Sequence, residues 1–61
     1  MIVGKTASEI FDNIRHLIQS GVLKPGETLP PVRELAAELT VNRNTVAAVY
    51  KRLVTSGLAV S

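Results

Sequence analysis

Leu29-Pro30-Pro31-Val32-Arg33-Glu34-Leu35-Ala36-Ala37-Glu38-Leu39-Thr40-Val41-Asn42-Arg43-Asn44-Thr45-Val46-Ala47-Ala48-Val49-Tyr50 is the stretch that decides the fold. It reads as two short amphipathic helices with only a few residues between them. Val32, Leu35, Ala36 and Leu39 recur at helical spacing and give the first an apolar face. Pro31, tolerated in a first helical turn, marks its start, so the spacing predicts a helix over 31–39. At about two turns it is too short to hold without tertiary packing. Asn42 is a good N-cap for the second helix, expected over 43–56. Val46, Val49, Tyr50, Leu53 and Val54 form its buried stripe, and Gly57 ends it.

Upstream, Thr6-Ala7-Ser8-Glu9 has capping-box spacing, so a helix is expected over 7–20. Ile10, Phe11, Ile14, Leu17 and Ile18 lie along one of its sides, and Gly21 supplies a left-handed cap. Lys24-Pro25-Gly26-Glu27 matches a type II turn, with proline at the second position and glycine at the third. Thr28-Leu29 is at most a fragment of strand. Leu58-Ala59-Val60-Ser61 reads as the start of a strand without a partner further along the chain. The expected core is Ile14, Leu17, Ile18, Leu35, Leu39, Val46, Val49, Tyr50 and Leu53. The fold class is all-α, three helices in one domain over 1–61.

Composition narrows the chemistry. At 61 residues the chain buries about 60% of the surface its unfolded form exposes. With 3% aromatic residues, aliphatic side chains must build the core, and base-stacking platforms for single-stranded nucleic acid are excluded. The absence of cysteine removes disulfides and thiolate metal sites, and fits a reducing, cytoplasmic setting. No run approaches the length of a signal-peptide core or a membrane span, so no membrane role is expected. One histidine and five scattered acids assemble neither a metal site nor a nucleophile with its base, and Ser8, Ser20 and Ser56 have no histidine at matching spacing. The chain is not read as an enzyme. His16 reads as a surface residue near the end of the first helix. The charge is asymmetric: residues 41–61 carry Arg43, Lys51 and Arg52 and no acid, whereas all five acids lie before residue 41. A purely basic last third suits a polyanionic partner.

Two short helices joined by a tight turn, the second one capped and basic, form the helix-turn-helix layout, in which the second helix enters the major groove of DNA. The residues at its start suit that task. Arginine pairs bidentately with guanine and asparagine with adenine; threonine bonds bases or phosphates, and alanine touches a thymine methyl. The candidate DNA-binding residues are Asn42, Arg43, Asn44, Thr45 and Ala47, with Lys51 further along as a phosphate contact. Read alone, Arg43-Asn44-Thr45 is also what an ordinary capped helix start looks like; the layout around it favours recognition. Lys51 and Arg52 are expected to touch phosphate or nothing. Tyr50, on the core stripe, is expected to pack.

Leu29-Pro30-Pro31-Val32-Arg33-Glu34-Leu35-Ala36, then Val41-Asn42-Arg43-Asn44-Thr45-Val46, Tyr50, Leu53, Gly57 and Leu58 resemble the N-terminal winged helix-turn-helix of GntR-type regulators. Gly21-Val22-Leu23-Lys24-Pro25-Gly26-Glu27 is similar to that family's turn before the motif, and Arg43-Asn44-Thr45-Val46 with Tyr50 looks most like its MocR-type branch. The resemblance runs from Thr6 onward. It implies sequence-specific binding of a double-stranded DNA operator by a bacterial transcription regulator acting as a homodimer. It adds Arg33 to the DNA contacts, against the alternative of a surface ion pair with Glu34 or Glu38. It also implies a wing hairpin after Leu58 and, for the MocR-type branch, a C-terminal domain binding pyridoxal phosphate; both are expected to lie outside this chain, which itself needs no cofactor. The sequence departs from the family at Ala47, often basic elsewhere, and at Pro31, where a small capping residue is frequent. It departs again at Thr40, where glycine is usual in the turn. A left-handed threonine is strained, so a differently built turn is the expectation there. The competing reading is a winged-helix protein-interaction module that never touches DNA, which an apolar or mixed-charge face on the last helix would favour.

Overall fold

The computed structural model describes residues 2–24 and 29–58, and its described elements are three helices: α1 (Ala7–Gln19), α2 (Val32–Leu39) and α3 (Arg43–Thr55). The Lys24–Glu27 turn, apart from Lys24, and the segment after Leu58 lie outside the described residues. α3 packs against both α1 and α2 and forms the middle of the domain.

Each start follows from the local sequence. Thr6 Oγ1 accepts the Glu9 N–H at 3.2 Å, while Glu9 Oε1 accepts the N–H groups of Lys5 at 2.9 Å and Thr6 at 3.4 Å. The capping box therefore satisfies the Thr6 and Glu9 donors at the start of α1, and the same carboxylate also takes the Lys5 N–H just ahead of it. Asn42, with φ −69° and ψ 141°, caps α3 by accepting the Asn44 N–H on Oδ1 at 2.7 Å. α2 has no side-chain cap: Pro31 precedes it with φ −56°, and its carbonyl accepts the Leu35 N–H at 3.0 Å. The helix thus begins at Val32, one residue later than the sequence suggested.

The ends of α2 and α3 are alike. After α3, Gly57 takes φ 77°, its N–H meets the Val54 carbonyl at 3.0 Å, and the Leu58 N–H meets Leu53 at 2.9 Å. After α2, Thr40 takes φ 57° and ψ 49°, with its N–H on Ala37 at 3.3 Å and the Val41 N–H on Ala36 at 3.0 Å. Both are Schellman loops, in which the residue after the helix is left-handed. The helix-turn-helix turn is therefore built the usual way despite its threonine. This corrects the expectation of a different turn: the two loop hydrogen bonds and the burial of Leu39 hold Thr40 where its β-carbon is unfavourable.

The core consists of Ile10, Phe11, Ile14, Leu35, Ala36, Leu39, Val46, Val49 and Leu53. Six of these were in the expected core; Ile10, Phe11 and Ala36 were not. Leu17 and Ile18 are only half-buried, as is Tyr50, and Val54 is 40% exposed although it falls on the apolar stripe of α3. The centre of mass of the core thus lies nearer the start of α1. The N-terminal segment accounts for the shift. Ile2 packs onto the core, the Val3 N–H meets Asn13 Oδ1 at 2.8 Å, and Gly4 passes so close that a β-carbon there would stand 2.8 Å from the Ile10 nitrogen. That strap covers Ile10, which is fully buried.

Two tertiary hydrogen bonds tie α2 and its approach to the rest of the domain. Lys5 Nζ donates to the Leu39 carbonyl at 2.6 Å across 34 residues of sequence, placing a cation at the negative end of α2. The Tyr50 hydroxyl donates to the Pro30 carbonyl, tying α3 to the approach to α2. Burial first, then the charges of Glu34 and Glu38, raise the Tyr50 hydroxyl above its ordinary pKa of 10.0 and keep it a donor.

Candidate nucleic-acid interface

At 3.6 residues per turn, Val46, Val49 and Leu53 commit one side of α3 to the core. The opposite side carries Asn44, Ala47, Ala48, Lys51 and Thr55, at spacings of three, four, seven and eleven from Asn44, and all five are exposed. Of these, Asn44, Ala47 and Lys51 were expected at the site. Ala48 and Thr55 share that exposed face by the same helical arithmetic. Arg43 is exposed in the first turn, seven residues before Tyr50, and so lies on the flank that faces α2. Arg33 is exposed on α2 and, among the described residues, makes no ion pair with Glu34 or Glu38. Thr45 is half-buried on the other flank, away from the stripe of Asn44.

Arg52 behaves differently from Lys51. Its guanidinium stands 4.0 Å above the centre of the Phe11 ring, which holds it against α1. The sequence had grouped Arg52 with Lys51; the structure assigns it to the α1–α3 contact.

The electrostatics of α3 are lopsided. Its first turn contains no acid, and the cation Arg43 sits there, where the helix dipole already concentrates positive potential. Such a placement costs an isolated helix about 0.3–1 kcal/mol, and an anion brought to that end would reverse the sign. The described acids of α2, Glu34 and Glu38, sit instead near Tyr50 and line a cleft with Ile2, Leu23, Pro30, Leu35 and Leu39. No group of His, Cys, Asp or Glu among the described residues could hold a metal ion, and no described helix is long and apolar enough to cross a membrane.

A three-helix domain whose last helix turns an acid-free polar face outward is the arrangement on which the family comparison bears. Residues 6–61 match the model of the bacterial regulatory proteins of the gntR family. The chain belongs to the GntR family. Its GntR domain is a DNA-binding helix-turn-helix domain. The relatives are regulators. The GntR domain is 69% identical over 61 residues to the vitamin B6 salvage pathway transcriptional repressor PtsJ of Salmonella typhimurium, covering 100% of this chain and 14% of that protein. It is 42% identical over 50 residues to the HTH-type transcriptional repressor YtrA of Bacillus subtilis, covering 82% of this chain and 38% of that protein. It is 36% identical over 50 residues to the HTH-type pyridoxine biosynthesis transcriptional regulator PdxR of Corynebacterium glutamicum, covering 82% of this chain and 11% of that protein. The GntR domain thus spans well under half the length of these relatives. No solved structure matches it.

Proposed function

We propose that this GntR domain is the reading head of a dimeric bacterial transcription regulator that places α3 in the major groove of double-stranded operator DNA. The observation that carries the reading is the exposed surface of α3, where Asn44, Ala47 and Lys51 stand opposite the core stripe, Arg43 is exposed on the adjoining flank, and the helix has no acid. In this reading Arg43 and Asn44 reach base edges, Ala47 approaches a thymine methyl, and Lys51 meets phosphate. Arg33 joins from α2, while Asn42 at the end of the turn and Thr45 in the first turn of α3 contact the phosphate backbone. Two copies on a two-fold site supply the affinity that one short helix lacks. The regulator works in the cytoplasm.

The companion domain belongs to the same proposal. Two relatives are named for vitamin B6 salvage and pyridoxine biosynthesis, and the motif resembles the MocR-type branch. A B6 compound, pyridoxal phosphate, is therefore the effector we assign to a C-terminal domain of the regulator. The GntR domain itself uses no cofactor and performs no catalysis in this reading.

Backbone amide shift mapping tests the DNA contact. Titration of the chain with a 20-base-pair duplex at low salt should move the amides of Arg33 and of 42–48 and 51, and leave those of α1 in place. Shifts centred on α1 or on the cleft beside Glu34 and Glu38 would overturn the assignment of α3 as the reading helix.

A further inference from the structure

Two asparagines stand two residues apart at the start of α3, and their side chains are in different chemical situations. Asn42 Oδ1 accepts the Asn44 backbone N–H at 2.7 Å. The partner is a donor, so the atom facing it must be the amide oxygen and not the nitrogen; hydrogen-bonding chemistry fixes the orientation. The cap takes one of the two acceptor positions of the Asn42 oxygen and holds the amide in one pose against the start of the helix. Asn44 is exposed, its side chain makes no hydrogen bond among the described residues, and both ends of its amide are available. It also heads the stripe of Ala47, Ala48, Lys51 and Thr55 directly opposite the core, whereas Asn42 lies before the first helical residue.

Asparagine reads adenine with both halves of its amide at once, accepting from N6 and donating to N7. Asn42 has to make any such pairing with its amide held in the one pose that the cap imposes, ahead of the first helical residue and off the outward stripe. Asn44 presents the pair from the stripe itself with no such constraint. Beside Asn44, Ala47 and Ala48 lie one turn further along the same face, and their methyl groups are suited to the C5 methyl of a thymine. From these observations we infer that Asn44 is the specificity-determining adenine reader of this domain, with Ala47 or Ala48 against a neighbouring thymine. Asn42 is a helix cap whose free NH2 donates to a phosphate oxygen. The inference rests on the reading of α3 as the DNA-facing helix and assigns the labour within it.

The two roles separate under substitution. Asn42→Asp keeps a cap acceptor and suits the helix dipole, but removes the NH2 and sets a negative charge toward the phosphates. Asn44→Ala removes the whole amide from an exposed helical position where alanine is the best helix former. Both variants should therefore melt no lower than the parent, which a thermal scan by circular dichroism checks. The immobilised chain and both variants are then used to select from a pool of 20-base-pair duplexes with a randomised centre at low salt, and the retained duplexes are sequenced. Asn44→Ala should erase an adenine preference of about five- to a hundred-fold at one position and leave the other positions as they were. Asn42→Asp should preserve every base preference while retaining several-fold less DNA overall. Loss of an adenine preference in Asn42→Asp, or an unchanged pattern in Asn44→Ala, would overturn the assignment. Failure of the parent chain to retain any duplex would instead remove the DNA reading beneath it.

Discussion

Replacing Thr40 by glycine should make this domain more stable. Thr40 is the one described non-glycine residue with positive φ, held at 57° with ψ 49° in the turn between α2 and α3. An L-residue with a β-carbon in that region costs roughly 1–2 kcal/mol. Glycine removes the β-carbon clash but loses about 0.5–1 kcal/mol through the greater freedom of the unfolded chain. The Thr40 side chain is exposed, and no described hydrogen bond uses its hydroxyl, so its removal forfeits nothing else. The two loop hydrogen bonds, from the Thr40 and Val41 N–H groups, are made by the backbone and survive the change. The balance is a gain of about 0.5–1 kcal/mol, which in a domain of this size raises Tm by several degrees. Thermal unfolding of Thr40→Gly beside Thr40→Ala, followed at 222 nm, separates the causes. Alanine keeps the β-carbon and should melt close to the parent; glycine should melt higher. A glycine variant that melts at or below the parent, or an alanine variant that gains as much, would refute the claim that the turn stores strain at this residue.

Two further outcomes follow from the tertiary hydrogen bonds. Lys5→Met keeps much of the apolar stem but leaves the Leu39 carbonyl without its charged donor, and should lower stability by about 1–3 kcal/mol in urea unfolding. Tyr50→Phe should cost about 0.5–1.5 kcal/mol near neutral pH by removing the bond to the Pro30 carbonyl. Because the folded state raises the Tyr50 pKa above 10.0, the stability this residue contributes is fully present below pH 10 and is lost as pH rises through the higher folded value. The alkaline limb of a stability–pH curve should accordingly be flatter in Tyr50→Phe than in the parent.

Local signals in the sequence were legible down to single residues. The Thr6–Glu9 box, the Asn42 cap and the terminal Gly57 each act through partners at most five positions away, and each reads correctly from spacing alone. The apolar stripes were legible too, but not which part of each stripe is covered. Leu17 and Ile18 share the stripe of Ile10 and Ile14, yet Ile10 and Ile14 are fully buried because the strap around Gly4 and the middle helix cover the first half of α1. Val54 illustrates the same limit at the far end of α3. The pairing of Lys5 with Leu39 and of Arg52 with Phe11 joins elements remote in sequence, and no periodicity encodes it. Arg43, Asn44, Ala47 and Lys51 were candidates for DNA contact from residue type and position, and all four are exposed. The division between Asn42 and Asn44 needed the geometry of the cap, since residue type alone makes them equivalent.

The central claim is that α3 reads DNA through its start and meets phosphate further along, and binding of two alanine variants at several salt concentrations tests it most directly. Arg43→Ala and Lys51→Ala are compared with the parent on a duplex selected from a random pool and on the same duplex scrambled, each by fluorescence anisotropy. Arg43→Ala should lose about 1–3 kcal/mol on the selected duplex and much less on the scrambled one. Lys51→Ala should weaken both alike and reduce the salt slope by about one unit. Unchanged binding by both variants on both duplexes would contradict the claim that this face of α3 touches DNA.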